Sequence, residues 1–160
     1  MINWKNTSSP EKCGFKKDRF DEGDNPFHAV YLIDNITGSV LLSNKYTNFS
    51  STNEDLISGF LSAMNMFVQE LRNDKTEEIQ EINFQGSRIL YERKGRLMCI
   101  GFSKKSNLEI ERAILKEIMQ DFYFRFEPLI KNFNGFISPE IIQYKNKLQD
   151  LKFNSRQVKI

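Results

Sequence analysis

Residues 28–33 (HAVYLI) and 39–46 (SVLLSNKY) are two runs rich in β-branched, aromatic and other apolar side chains. Between them Asp34, Asn35, Thr37 and Gly38 supply turn chemistry, so the pair predicts a β-hairpin beginning at His28. The period then changes. Over residues 53–71, Leu56, Ile57, Phe60, Leu61, Met64, Phe67, Val68 and Leu71 fall within one broad arc when successive residues are turned by about 100°. Asn53 is placed to cap this helix, with Glu54 and Asp55 favourable against the dipole of its first turn. The apolar arc is expected to lie on a sheet.

Three further strands are predicted over residues 78–84, 87–93 and 96–102, separated by Gln85-Gly86 and Lys94-Gly95. Two-residue connections ending in glycine suit tight antiparallel turns, so the three form a meander. A long helical segment covers residues 107–133, with Ile110, Ile114, Ile118, Phe122, Leu129 and Phe133 at helical spacing. Pro128 inside it should kink or restart the helix near Glu127. Asn134-Gly135 reads as its C-terminal cap, and Ser138, Pro139 and Glu140 open a last helix ending near Lys152. The order is ββαβββαα. Layer packing then gives an α+β fold with a five-stranded antiparallel sheet sandwiched by helices.

The segments AVYLIDNITGSVLLS, DLISGFLSAMNMFVQEL, EEIQEINFQGSRILYERKGRLMCIGF and ERAILKEIMQDFYFRF, in that order, resemble the longin domain, a profilin-like fold and close kin of the roadblock family. The likeness covers residues 28–135 and extends to the stand-alone longin and roadblock proteins of Asgard-type archaea. Roadblock domains usually start with a helix before the first strand and end after one final helix. Here the stretch before His28 is broken by Gly and Pro, and two helical segments follow the last strand, which favours longin. The resemblance implies a non-enzymatic platform that dimerises, as a homo- or hetero-dimer, and scaffolds or regulates a small GTPase in vesicle trafficking. No SNARE coiled coil or membrane anchor is read after the domain, so a SNARE role is not expected.

The first helix offers a separate clue. On the same wheel its outward positions are Ser58, Gly59, Ser62, Asn65, Met66 and Gln69, none of them charged, in a chain where 28% of residues carry charge. An exposed helix face ordinarily carries Lys, Glu or Arg, whereas the core of an interface is depleted of charge. These six residues are therefore expected to face outward as the contact with a partner, the small ones allowing close approach and Met66 adding an adaptable apolar contact. In the longin and roadblock families the corresponding helix often forms the dimer interface. The competing expectation is that the last helix or the N-terminal arm covers this face.

The ends differ from the middle. Residues 1–27 are polar, of mixed charge and broken by Pro10, Gly14, Gly23 and Pro26, and they read as an irregular extension anchored by Trp4, Phe15, Phe20 and Phe27. Residues 136–160 read as a C-terminal helix and a basic tail. The chain of 160 residues has a net charge of only +2, yet residues 131–160 hold six basic groups against two acidic ones. That tail gives at most a weak contact with an anionic membrane surface, and the overall balance gives no broad basic field for nucleic acid. No stretch has the roughly 18 consecutive apolar residues of a membrane span, and no secretory leader is read, so a cytoplasmic location, peripheral to membranes at most, is expected.

Catalytic, metal and cofactor sites are not predicted. One histidine and two distant cysteines, Cys13 and Cys99, cannot supply a zinc site. His28 has no neighbouring nucleophile, Cys99 reads as a small buried hydrophobe, and neither GxxxxGK[ST] nor GxGxxG occurs. The pairs Glu77/Glu78 and Glu109/Glu111 are expected on solvated edges, and Phe122 and Phe126 on the sheet, with Phe124 turned towards the last helix. The alternatives to an interaction module of longin type are a roadblock-type GTPase regulator and a profilin-like or sensor-like domain. The last would hold a small ligand in a cavity of convergent polar groups.

Overall fold

The structure, a computed structural model, describes residues 25–48, 53–153 and 158–159. Trp4, Cys13, Phe15 and Phe20, and with them the anchoring expected of the N-terminal arm, lie outside the described residues. In chain order the elements are β1 (Phe27–Asp34), β2 (Val40–Lys45), α1 (Glu54–Arg72), β3 (Glu81–Asn83), β4 (Arg88–Lys94), β5 (Leu97–Ser103) and α2 (Leu108–Lys131). The short helices α3 (Pro139–Gln143) and α4 (Lys145–Gln149) and a small hairpin of β6 (Lys152–Phe153) and β7 (Val158–Lys159) follow. The fold is α+β, with the expected five-stranded antiparallel sheet between helices.

The strand order is β2-β1-β5-β4-β3. The N-terminal hairpin and the meander are joined by β1 lying antiparallel to β5, from Phe27 opposite Ser103 to Asp34 opposite Leu97. Both strands are central and covered on both faces, which is why they read as continuous apolar runs. Alternation divides β1 between two cores. Val30 and Leu32 face α2 and pack with Ile114, Leu115, Ile118, Met119 and Phe122, while Ala29, Tyr31 and Ile33 face α1 beside Tyr91, Met98 and Ile100.

Gly101 permits the close approach of the first layer: a β-carbon there would meet the Phe27 ring at 2.6 Å and the Leu115 methyl at 3.1 Å. The β1–β2 turn is held by Asp34, fully buried, whose carboxylate accepts from Arg96 Nε at 2.5 Å and Nη2 at 2.9 Å and from the Thr37 amide and hydroxyl at 3.0 and 2.7 Å. Burial pushes its pKa up, but these bonds and the Arg96 charge outweigh that and hold it below the usual carboxylate value.

Helix α2 departs from helical dihedrals at Phe126 (φ −124°, ψ 23°), two residues before Pro128, as the proline requires. Its cap is Asn132 instead of Asn134, and Gly135 (φ 105°) belongs to the loop beyond. The last helix does begin at Ser138 and Pro139, but it is interrupted at Tyr144, giving α3 and α4 in place of one helix. The Tyr144 ring packs edge-on against Phe122 and Phe126, and its hydroxyl donates to Asp121 at 2.6 Å. That contact with α2, together with the Tyr46 hydroxyl bonded to the Leu148 carbonyl at 2.6 Å, fixes the two short helices at the β2 edge. Phe124 is 84% exposed and does not turn towards them.

Candidate functional site

Helix α1 forms as its sequence dictates. The Asn53 side chain accepts from the Asp55 and Leu56 amides at 2.8 and 3.2 Å, and Asn73, in the left-handed conformation (φ 54°), closes the other end. Its orientation differs in part from the one expected: Leu61 and Ile57 of the apolar arc do pack on the sheet, but other members of the arc do not. Ser58 (1% exposed), Ser62 (8%) and Asn65 (3%) lie beneath the helix with Leu61, whereas Leu56 (66%), Phe60 (58%), Phe67 (59%) and Leu71 (70%) are open to solvent. Of the six residues expected to face outward, Gly59 and Met66 are exposed, Gln69 is half-buried, and Ser58, Ser62 and Asn65 are inside this chain.

The reason lies in the sheet below. Tyr31, Tyr91, Met98 and Ile100 already fill the layer between sheet and helix, so small side chains suit the helix underside better than phenylalanines would. The underside is anchored by a few polar bonds. Asn65 Oδ1 accepts from Arg93 Nη2 at 2.6 Å and from the Ile79 amide at 3.2 Å, and the Ser43 hydroxyl donates to the Glu54 carboxylate. Among the described residues, the buried polar atoms without a hydrogen-bond partner are Tyr31 Oη, Ser62 Oγ and Arg93 Nε, and all three residues belong to this layer. Burial, reinforced by the Glu54 carboxylate, raises the pKa of Tyr31 and keeps its unpartnered hydroxyl protonated. Each such group costs about 1–3 kcal/mol, so α1 is seated less firmly than α2 on the opposite face.

The outer face of α1 is continuous. An open groove of about 510 Å³ lies over its C-terminal half, lined by Ala63, Met66, Phe67, Gln69, Glu70 and Lys75. A contiguous apolar stripe of this kind on a chain rich in charge is the physical mark of a contact surface. Its charged groups are Glu54 and Asp55 in the first turn and, at the other end, Glu70 and Arg72, with Lys75 just beyond.

A second groove, of about 480 Å³, is lined by His28, Phe84, Ser87, Arg88, Ile89 and Phe102. Its charged groups are already engaged. His28 Nδ1 lies 2.8 Å from the Thr47 hydroxyl, and Arg88 Nε donates to Glu111 at 3.0 Å. Burial lowers the His28 pKa and the Lys104 charge adds to this, which favours a neutral ring. Cys99 is fully buried and its thiol is pushed up by that burial, which makes it unreactive. Glu111 corrects its expected place on a solvated edge: it is fully buried, pairs with Arg88, and its Oε2 accepts from the Ser106 and Asn107 amides at 2.7 and 3.1 Å. Among the described residues no three His, Cys, Asp or Glu side chains converge to hold a metal ion. No helix among them is long and apolar enough to cross a membrane.

The sequence matches no known family model and no curated protein. Solved structures do match. The chain is similar to Myxococcus xanthus MglB, with 18% sequence identity and a TM-score of 0.49, over 71% of this chain and 95% of that one.

Proposed function

We propose that this protein is a non-enzymatic, longin-like interaction module that self-associates through α1 and scaffolds or regulates a small GTPase in a membrane-trafficking-like system. One observation supports the contact reading above all: Leu56, Phe60, Met66, Phe67 and Leu71 are exposed from the first turn of α1 to its last, while Ser58, Leu61, Ser62 and Asn65 sit on the sheet. A helix turned this way leaves its hydrophobic surface available for a second molecule. Ser58, Ser62 and Asn65 do not belong to that surface, whereas Gly59 and Met66 do. The GTPase as partner rests on the resemblance of residues 28–135 to longin and roadblock domains. The sensor-like alternative is less well supported, because His28 and Arg88, the groups a ligand would need in the second groove, already serve Thr47 and Glu111.

The test is affinity capture from native lysate with the tagged protein, in GDP and in a non-hydrolysable GTP analogue, followed by identification of what is retained. A GTPase retained in one nucleotide state supports the regulatory part. Recovery of no GTPase in either state removes it and leaves a self-associating scaffold. A weak contact of the basic C-terminal segment with anionic lipid is a lesser proposal, checked by co-sedimentation with phosphatidylserine vesicles. Part of that segment, including Arg156, lies outside the described residues.

A further inference from the structure

We infer that the acidic segment of this chain, residues 18–24, docks in the second groove, across the end of the sheet where β1 begins. The docking is independent of self-association through α1. The groove floor runs over three adjacent strands: Ala29 of β1 lies opposite Phe102 of β5, and Phe102 opposite Ile89 of β4, with His28 at the bulge beside Ala29 and Phe84 just beyond β3. Ile89 and Phe102 belong to the layer under α1, yet no α1 residue lines the groove, so this end of the layer is left for another segment to cover. Phe84 is 51% exposed at its far side. The rim is cationic. Lys105 Nζ donates to the Phe84 carbonyl at 2.5 Å, and the Lys104 charge acts on the His28 ring. With Arg88 paired to Glu111, the two lysines leave the rim with surplus positive charge.

The segment next to it in sequence has the complementary chemistry. Residues 18–24 (DRFDEGD) hold four acidic groups against one basic, with Phe20 among them, whereas residues 1–17 hold four basic groups against one acidic. Its point of attachment is fixed at the groove. The described chain begins at Asn25, whose Oδ1 accepts from the Phe27 amide at 2.8 Å, and the Pro26 carbonyl accepts from the Lys104 amide at 2.8 Å, which ties the start of β1 to the end of β5. Seven extended residues span about 24 Å, and the three strand spacings from β1 to β3 come to about 14 Å, so the segment reaches Phe84 with length to spare. Phe20 supplies the aromatic side chain that Phe84, Ile89 and Phe102 can enclose, and Asp21, Glu22 and Asp24 the carboxylates for Lys104 and Lys105. A tether this short holds the segment at an effective concentration of the order of millimolar, so modest contacts suffice and a free peptide of the same chemistry competes poorly.

Paramagnetic broadening tests the docking in the full-length chain. A nitroxide is attached at Lys16→Cys in a Cys13→Ser background, since Cys99 is fully buried. In isotope-labelled protein it should remove the amide signals of Ser87, Arg88, Ile89 and Phe102. Adding Asp21→Lys/Glu22→Lys should recover them, and combining that pair with Lys104→Glu/Lys105→Glu should remove them again. No loss at these amides, or a loss that the Asp21→Lys/Glu22→Lys pair leaves unchanged, overturns the docking. Failure of the combined variant to restore the loss overturns the pairing with Lys104 and Lys105. Loss centred on the α1 amides overturns the choice of groove. In a mixture of nitroxide-bearing chains with isotope-labelled chains that carry none, the signals should remain; their loss there assigns the groove to the segment of a second copy and overturns docking within the chain.

Discussion

Truncating Phe67 to alanine should weaken self-association about a hundredfold and leave the folded monomer untouched. The side chain is 59% exposed in the single chain. An aromatic side chain covers about 200 Å², so about 120 Å² is open, and closing half of that in a dimer buries about 60 Å² per chain. Both copies contribute. At about 25 cal/mol per Å² the pair is worth about 3 kcal/mol, and a methyl group retains a few tenths of it, which corresponds to about two decades in Kd. The assay is fluorescence anisotropy of a labelled chain diluted through its dissociation range, paired with urea unfolding at a concentration where wild type is monomeric. The unfolding free energy should change by no more than about 0.5 kcal/mol, as for other exposed positions. An unchanged Kd, or a Kd that weakens only because the monomer unfolds, would refute the reasoning.

Ser62→Arg should act in the opposite way: Ser62 is 8% exposed and its hydroxyl lies 3.4 Å from a β-carbon built on Gly38, so a guanidinium there must lift α1 from the sheet and lower urea stability by about 2 kcal/mol or more. Gly101→Ala should lower the melting temperature, with a cost of about 1–3 kcal/mol, because the new methyl sits 2.6 Å from the Phe27 ring between two central strands. Asp34→Asn should cost about 2 kcal/mol in urea unfolding, below the figure for a fully buried pair because Arg96 keeps one edge in water. The same carboxylate predicts the direction of acid sensitivity. Its folded pKa lies below the unfolded value of 3.8, so its contribution is fully present above 3.8 and is lost as pH falls through the folded pKa; Asp34→Asn should flatten the unfolding free energy against pH in that window.

The sheet was legible in the sequence because its signals are local. The apolar runs of β1 and β5 and the glycine-marked connections around residues 86 and 95 place four of the five strands within a residue or two. The fifth, β3, is shorter than its alternation suggests, since only Glu81–Asn83 finds a pairing partner on β4. The helix caps at Asn53 and Ser138 and the kink before Pro128 are local too. What failed depended on contacts between distant residues. A helical wheel separates two faces of α1 but does not say which one meets the sheet, and the answer depends on how much space Tyr31, Tyr91 and Met98 have already taken. Glu111 had a readable clue in its position four residues after the Asn107 cap, yet its partner Arg88 is on strand β4. The break at Tyr144 follows from its hydroxyl reaching Asp121 on α2, which no local pattern announces.

The proposed surface therefore stays on α1, but Ser58, Ser62 and Asn65, expected to face outward, lie on its inner face. Gly59 and Met66 remain in it, and Phe60, Phe67, Leu56 and Leu71 replace Ser58, Ser62 and Asn65. An apolar arc ordinarily marks the core side of a helix. An interface between copies buries the same kind of surface, and amphipathic periodicity does not distinguish the two.

The most direct test of the account is the molar mass of the wild-type chain by sedimentation equilibrium from sub-micromolar to about 50 µM. Self-association through α1 predicts a mass rising with concentration towards twice 18.8 kDa, and a Phe60→Asp/Phe67→Asp variant fixed at 18.8 kDa with an unaltered unfolding curve. A wild-type mass of 18.8 kDa across the whole range would contradict it.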